Sequence, residues 1–217
     1  MARNCCHPDY DALFNEGMAR RELEAYRRKG ASGPTRRLIK ELVAEGVEGA
    51  TLLDIGGGIG AIQHELLEAG AARSLDIDAS RAYLAAARDE ADLRGFGDRV
   101  AHRYGDFVAL ANEVEPVDIV TLDRVICCYA DMPGLVGRSA DRARRLYGLV
   151  YPVDRWWTRL GARLVNAAMA LFRQSFRFHV HATDAVEELL ATRGFERQRF
   201  HHGLIWQTSL YRRAAPN

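Results

Sequence analysis

The sequence predicts an α/β protein built on a doubly wound, mostly parallel sheet. Three observations carry this. From residue 50 onward, apolar runs of strand length alternate with amphipathic helical stretches. One run, residues 117–123, is nearly all apolar, as a strand covered on both faces should be. A glycine-rich joint, Gly56-Gly57-Gly58-Ile59-Gly60, follows the first run and opens a helix.

The elements follow in order. Residues 11–28 form a charged amphipathic helix that stops at Lys29-Gly30. After a loop at 31–34, Thr35 caps a second helix through 43, with Leu38, Ile39, Leu42 and Val43 on one face. Strands are expected at 50–55, 73–78, 100–104, 117–123, 145–151, 195–202 and 204–212. Helices are expected at 61–69, ended by Gly70, and at 79–93, ended by Gly95 and Gly97. A short helix falls at 108–112, and another at 139–145 with Ser139 as cap. Residues 153–172 form a strongly amphipathic helix with Arg155, Arg159 and Arg163 on one face and Trp156, Trp157, Leu160 and Leu164 on another. A further helix starts at Thr183 or Asp184 and closes at Gly194, and a tight turn at Gly203 joins the last two strands. The expected division is a helical cap over 1–34 and one domain over 35–217, with the amphipathic helix inserted at about 153–173.

Composition sets bounds. The chain has 217 residues and a formal charge of +1, so bulk charge gives no reason to expect a nucleic-acid partner. Lys29 and Lys40 are the only lysines, so nearly all positive charge is arginine. The cysteines form two adjacent pairs, Cys5-Cys6 and Cys127-Cys128, which fit no structural zinc spacing. They read as reduced thiols, with no metal site. No apolar leader follows Met1, and the apolar stretch 160–172 is too short to span a bilayer. The expectation is a cytoplasmic protein without stable membrane insertion.

The chemistry concentrates at the carboxyl ends of successive strands, where open α/β sheets bind ligands. The glycine joint bares backbone to a ligand, and the helix opening at Ala61 offers free N–H groups. Asp54 stands two residues before Gly56. A carboxylate there repels a pyrophosphate and suits a cationic ligand, such as an amino group or a sulfonium. With glycines alternating at 56, 58 and 60, the pattern departs from G-x-G-x-x-G and speaks against a nicotinamide-dependent oxidoreductase. Asp78 ends the second strand, where a carboxylate accepts from ribose hydroxyls; Asp76 should lie deeper. Gly105-Asp106-Phe107 ends the third strand, with Asp106 facing an adenine amino group and Phe107 packing on its ring. Asp123-Arg124 ends the fourth.

Residues 51–129 resemble the core of class I S-adenosylmethionine-dependent methyltransferases. Asp54, Gly56, Gly58 and Gly60 match that family's D/E-x-G-x-G-x-G loop. Asp78-Ala79-Ser80 matches its acidic ribose ligand, and Gly105-Asp106 its pair before the adenine. The resemblance extends from about Thr35 to Arg212. It implies a Rossmann-like methyltransferase fold, a seven-stranded sheet with an antiparallel last strand, and S-adenosylmethionine as cofactor. It implies cofactor contacts from Asp54, Gly56, Gly57, Gly58, Gly60, Asp78, Ala79, Asp106, Phe107, Asp123 and Arg124. The charged N-terminal helix and Asp123-Arg124-Val125-Ile126-Cys127-Cys128-Tyr129 are similar in placement to the magnesium-protoporphyrin O-methyltransferases.

A small-molecule methyltransferase acting at oxygen is therefore expected. Tyr26, Tyr129, Trp156 and Trp157 are candidates for the substrate side, with the tryptophans as a lid. No catalytic base is identified; a carboxylate acceptor, oriented by Arg124, would need none. Two other readings stay open. The Trp156–Phe172 face could pack on the sheet or on a second copy in a homodimer, or dock on a membrane surface with the arginines on the polar face. The chain could also be a catalytically silent methyltransferase-like scaffold. His179 and His181 read as polar residues on a strand edge, with a general base as the alternative, and His201-His202 as solvent-facing at a turn.

Overall fold

The computed structural model describes residues 8–214. The Cys5-Cys6 pair lies outside them. The elements run α1 (Pro8–Leu13), α2 (Glu16–Lys29), α3 (Gly33–Ala44), β1 (Thr51–Ile55), α4 (Ala61–Glu68), β2 (Arg73–Asp78) and α5 (Arg81–Leu93). They continue through β3 (Val100–Tyr104), α6 (Phe107–Leu110), β4 (Val117–Asp123), α7 (Met132–Ala140) and β5 (Ala143–Pro152). The chain then forms α8 (Trp156–Leu171), α9 (Thr183–Ala191), β6 (Phe195–His202) and β7 (Trp206–Arg213).

All seven strands join one sheet in the order β3-β2-β1-β4-β5-β7-β6. β1 to β5 are mutually parallel, and β7 enters antiparallel between β5 and β6. This is the Rossmann-like methyltransferase architecture expected from the sequence. The order reverses at β1, so the carboxyl ends of β1 and β4 flank the crevice where such sheets take ligands.

Period-two alternation gives each face its own core. Leu53, Ile55, Val120 and Leu122 face α7 and α9, where Leu135, Val136, Val186 and Leu190 are buried. Leu52, Ile119, Leu146 and Val150 face α3 and α4, where Leu38, Leu42 and Leu66 are buried. Helix α3 sits close to the sheet because β5 offers Gly148 beneath it. A Cβ there would stand 2.8 Å from Leu38 Cδ1.

Several expectations need correction. The N-terminal helix is broken in two: Asn15 caps α2 by accepting from the Met18 N–H at 3.2 Å. Ser32, not Thr35, stands at the start of α3, with Pro34 in its first turn. Buried Thr35 instead donates to Asp123 Oδ2 at 2.6 Å. The helix expected at 139–145 is α7, capped eight residues earlier by Asp131, whose carboxylate accepts from the Gly134 N–H. Ser139 lies in its last turn, where its hydroxyl donates back to the Leu135 carbonyl. Gly134 and Gly137 weakened the helical signal there, yet Gly137 admits the Arg193 side chain that packs against it. Likewise Ser80, not Ala79, opens α5, accepting from the Tyr83 N–H. The β6–β7 connection spans residues 203–205 rather than Gly203 alone.

Candidate active site

The cleft lies over the carboxyl ends of β1 to β4. The β1–α4 loop forms its floor, with Gly56, Gly58 and Gly60 at φ of 62°, 58° and 77°. That region of backbone space suits glycine, and three such residues at alternate positions turn the chain sharply into α4. Gly57 is constrained differently: a Cβ would lie 2.7 Å from Asp76 Oδ1 and 2.9 Å from Asp54 Oδ2. The loop therefore rests on two buried carboxyl groups.

Register explains that pair. Asp54 of β1 lies beside Asp76 of β2 and Thr121 of β4, all on the α4 face. Thr121 Oγ1 donates to Asp54 at 2.6 Å, and Gln63 Nε2 at 3.3 Å. Burial pushes Asp54 up to about 7 against these bonds. Burial, with the charges of Asp78 and Asp54, holds Asp76 well above the usual carboxylate range. Beneath the loop, burial also lowers His64 to about 4, so its ring is neutral.

Asp78 stands at the cleft wall and ties it to the floor. It accepts from the Gly58 N–H at 3.1 Å and the Ser80 N–H at 2.7 Å. Desolvation raises its carboxyl despite these bonds. Asp106 is buried beyond it, capping α6 through the Val108 N–H at 2.9 Å and accepting from Tyr129 OH at 3.1 Å. Phe107 is also buried, yet its side chain borders the cleft with Ile77 and Leu135. Asp123 accepts from Thr35 and from Arg124 Nε at 3.2 Å. Arg124 holds φ at 61°, a conformation costly for a side-chain-bearing residue. Its guanidinium also donates to Glu22 at 3.2 Å, and these two carboxylates raise its pKa further.

Helices α1 and α2 close the cleft from above. Ser80 Oγ donates to the Phe14 carbonyl at 2.6 Å, and Tyr83 OH to Glu22 at 2.8 Å. Tyr26 OH donates to Glu65 of α4 at 3.1 Å, and Arg27 bonds Glu90 of α5. The cleft thereby divides into two lobes that share Glu22, Gly56, Gly58, Asp123 and Arg124. One lobe takes in Asp78, Ala79, Asp106, Phe107 and Tyr129. The other takes in Asp54, Gly57 and Tyr26. Gly60 borders neither lobe. It starts α4, where a Cβ would stand 2.7 Å from His64 Cε1.

With this geometry described, comparison with known proteins decides the class. Residues 53–151, which span the glycine loop, all of β2 to β4 and most of β5, match the family model described as a methyltransferase domain. These residues, a little under half of the chain, carry a methyltransferase domain. The enzyme class and the S-adenosylmethionine cofactor expected from the loop therefore hold. No curated protein sequence matches the chain at a significant level. Among solved structures, the chain is similar to magnesium protoporphyrin IX methyltransferase (ChlM) from Synechocystis PCC 6803 with bound SAH. The TM-score is 0.69 at 18% identity, over 94% of this chain and 99% of that one. It is also similar to an O-methyltransferase family protein from Burkholderia thailandensis, with TM-score 0.71 at 14% identity over 98% and 64% of the two chains. An O-methyltransferase family 2 protein from Planctomyces limnophilus, in complex with apigenin, gives 0.65 at 18% over 92% and 62%. At these identities the likeness is one of fold.

The methyltransferase cleft leaves Trp156 and Trp157 outside both lobes. They stand exposed on α8, not over the site. The histidines also differ from expectation. Residues 173–182 form no strand, and His181 Nε2 donates to the carbonyls of Ile126 and Tyr129 at 2.9 and 3.0 Å. Burial lowers its pKa, so it serves as a neutral donor pinning the β4 exit. His201 is half-buried and meets Glu41 at 3.0 Å rather than facing solvent. The sulfurs of Cys127 and Cys128 lie 3.9 Å apart, and Cys128 borders the cleft.

Sequence reasoning missed Phe14, Tyr83 and Leu135 as cleft residues. Val125, in the stretch that follows β4, also borders the cleft: a Cβ on Gly56 would lie 2.5 Å from Val125 Cγ2. Phe14 and Leu135 reach the cleft only through tertiary packing.

Proposed function

We propose that this methyltransferase transfers the methyl group of S-adenosylmethionine to an oxygen of a small molecule. The observation that carries this reading is the two-lobed cleft, with bared loop backbone between Asp78 on one side and Asp54 on the other, and Asp123 bordering both lobes. The fit is chemical. Gly56 and Gly58 border the cleft without side chains, and Asp78 offers carboxylate acceptors beside them. Asp78 would receive the ribose hydroxyls, and Asp106 with Phe107 would hold the adenine. Asp123 would supply negative charge to the cationic methionyl end, and Asp54, raised to about 7 in the free protein, would ionise beside that cation.

The bound cofactor supplies a methyl group already activated by the sulfonium charge. The chain's own residues then need to exclude water and align the acceptor oxygen in line with the breaking bond. Helices α1 and α2 exclude water. Arg124, held by Asp123 and Glu22, keeps its charge at every working pH and faces both lobes. It would orient an acceptor carboxylate by paired hydrogen bonds, a reaction in which no base must remove a proton. The O-methyltransferase descriptions of two similar structures support oxygen as the acceptor atom. The cap over 1–34 and the domain over 35–217 are proposed as working units of this design.

A screen of acceptors that reads S-adenosylhomocysteine release tests this. Turnover with carboxylate- or hydroxyl-bearing small molecules, with the methyl recovered on oxygen, is the expected result. Turnover confined to amines, thiols or nucleic acid overturns it.

A further inference from the structure

The amphipathic helix α8 is mounted with its large apolar side chains pointing outward. At about 100° per residue, Trp156, Leu160, Leu164 and Leu171 fall within roughly 80° of arc. That stripe is open: Trp156 is 72% exposed, Leu164 64% and Leu171 79%. The residues turned toward the body are small, with Thr158 and Ala162 buried. The turn before β7 extends the patch. Trp157 Nε1 donates to the Leu204 carbonyl at 2.9 Å, and Leu204 and Ile205 are exposed. Among the described residues nothing covers this surface, and a contiguous apolar patch of this kind marks an interaction site.

Charge selects the occupant. Residues 155–183 contain five arginines and no aspartate or glutamate, in a chain whose formal charge is only +1. Arg159 and Arg163 line one flank of the stripe at helical spacing, and Arg155 and Arg173 stand just beyond the two ends of the helix. Arg159 is bound by Asp154, whereas no ion pair among the described residues engages Arg155, Arg163 or Arg173. A second copy would bring the same acid-free arginine edge to the contact. Anionic headgroups supply the missing countercharge while the acyl boundary takes the apolar stripe. Tryptophan suits that boundary, having a large apolar body and one donor. With 16 residues, α8 lies along such a surface, and no helix among the described residues is long and apolar enough to cross a membrane.

We infer that α8, with the 203–205 turn, docks the protein peripherally onto an anionic lipid surface. Flotation with phosphatidylcholine vesicles, with and without phosphatidylglycerol, tests this without cofactor or acceptor, so the outcome is independent of the proposed activity. Three proteins are compared: wild type, Trp156→Ser/Leu164→Ser/Leu171→Ser, and Arg163→Gln/Arg173→Gln. Wild type is expected to float with the anionic vesicles and to blue-shift its tryptophan emission. The apolar triple variant should lose flotation. The arginine variant should bind several-fold more weakly for each charge removed. Both variants change exposed positions and should keep the fold, which thermal melting checks; the arginine pair reads the proposal even where the triple variant melts early. Failure of wild type to float overturns the inference. So does equal flotation by all three, or a soluble dimer that the triple variant dissociates and that binds no vesicle.

Discussion

At the scale of single residues, Asp54 and Asp76 show how a site is set by strand register. Adjacent parallel strands place the two carboxyls side by side in a buried layer, where both cannot readily ionise. Their pKa values are raised, so the folded state holds protons that the unfolded chain has released at neutral pH. Stability from this source is complete below the ordinary carboxylate range and is lost as pH rises through about 7, the Asp54 value. His64 acts in the opposite sense only below the ordinary imidazole range, because its folded pKa is lowered. The window between about 6.5 and 8 therefore separates the raised buried carboxyls, Asp78 included, from His64. Denaturant midpoints should fall across it in wild type, at a rate up to about 1.4 kcal/mol per pH unit for each proton released. Asp76→Asn should flatten that fall by removing the neighbour that opposes Asp54 ionisation. An unchanged slope in the variant contradicts this account.

At the scale of elements, two glycines separate scaffold from site. Gly148→Ala places a methyl group 2.8 Å from Leu38 and forces α3 away from β5. A stability loss of about 1–3 kcal/mol is expected, with cofactor affinity kept. Gly57→Ala drives its methyl group into Asp54 and Asp76. It should cost similar stability, about 1–3 kcal/mol, and also weaken cofactor binding by displacing the loop. Melting curves and cofactor titrations on both variants read the difference; equal loss of affinity in the two would contradict it. The parallel core and the glycine joint were legible in the sequence because their signals are local: apolar runs of strand length, and glycines at alternate positions. Helix α7 was misplaced because Gly134 and Gly137 obscure its periodicity, and those glycines answer to Asp131 and Arg193, which sequence spacing does not pair. The outward mounting of α8 was not legible either. Its amphipathic pattern predicts that one face is buried, but not that the face of Thr158 and Ala162 wins over that of the tryptophans.

At the scale of the whole molecule, helices α1 and α2 join parts far apart in sequence into one cleft. Glu22 meets Tyr83 and Arg124, Tyr26 meets Glu65, Arg27 meets Glu90, and Ser80 holds the Phe14 carbonyl. These are polar contacts at the cleft rim, exchangeable with water, and of α2 only Ala19 and Tyr26 are buried in an apolar core, whereas the sheet beneath is packed on both faces. Opening of α1 and α2 should therefore precede global unfolding. Amide hydrogen exchange should be faster in residues 16–29 than in β1 and β4, and S-adenosylhomocysteine should slow it there. Equal protection in the free protein would show that the cap is part of the core.

The central claim is that the cleft between the glycine loop and Asp78 holds S-adenosylmethionine. Calorimetric titration of wild type and Asp78→Ala with S-adenosylhomocysteine tests it most directly. The account predicts one site per chain in wild type, and a loss of at least about tenfold in affinity, or about 1.4 kcal/mol, when the Asp78 hydrogen bonds are removed. Absence of binding by wild type, or equal affinity in a folded Asp78→Ala, would contradict it.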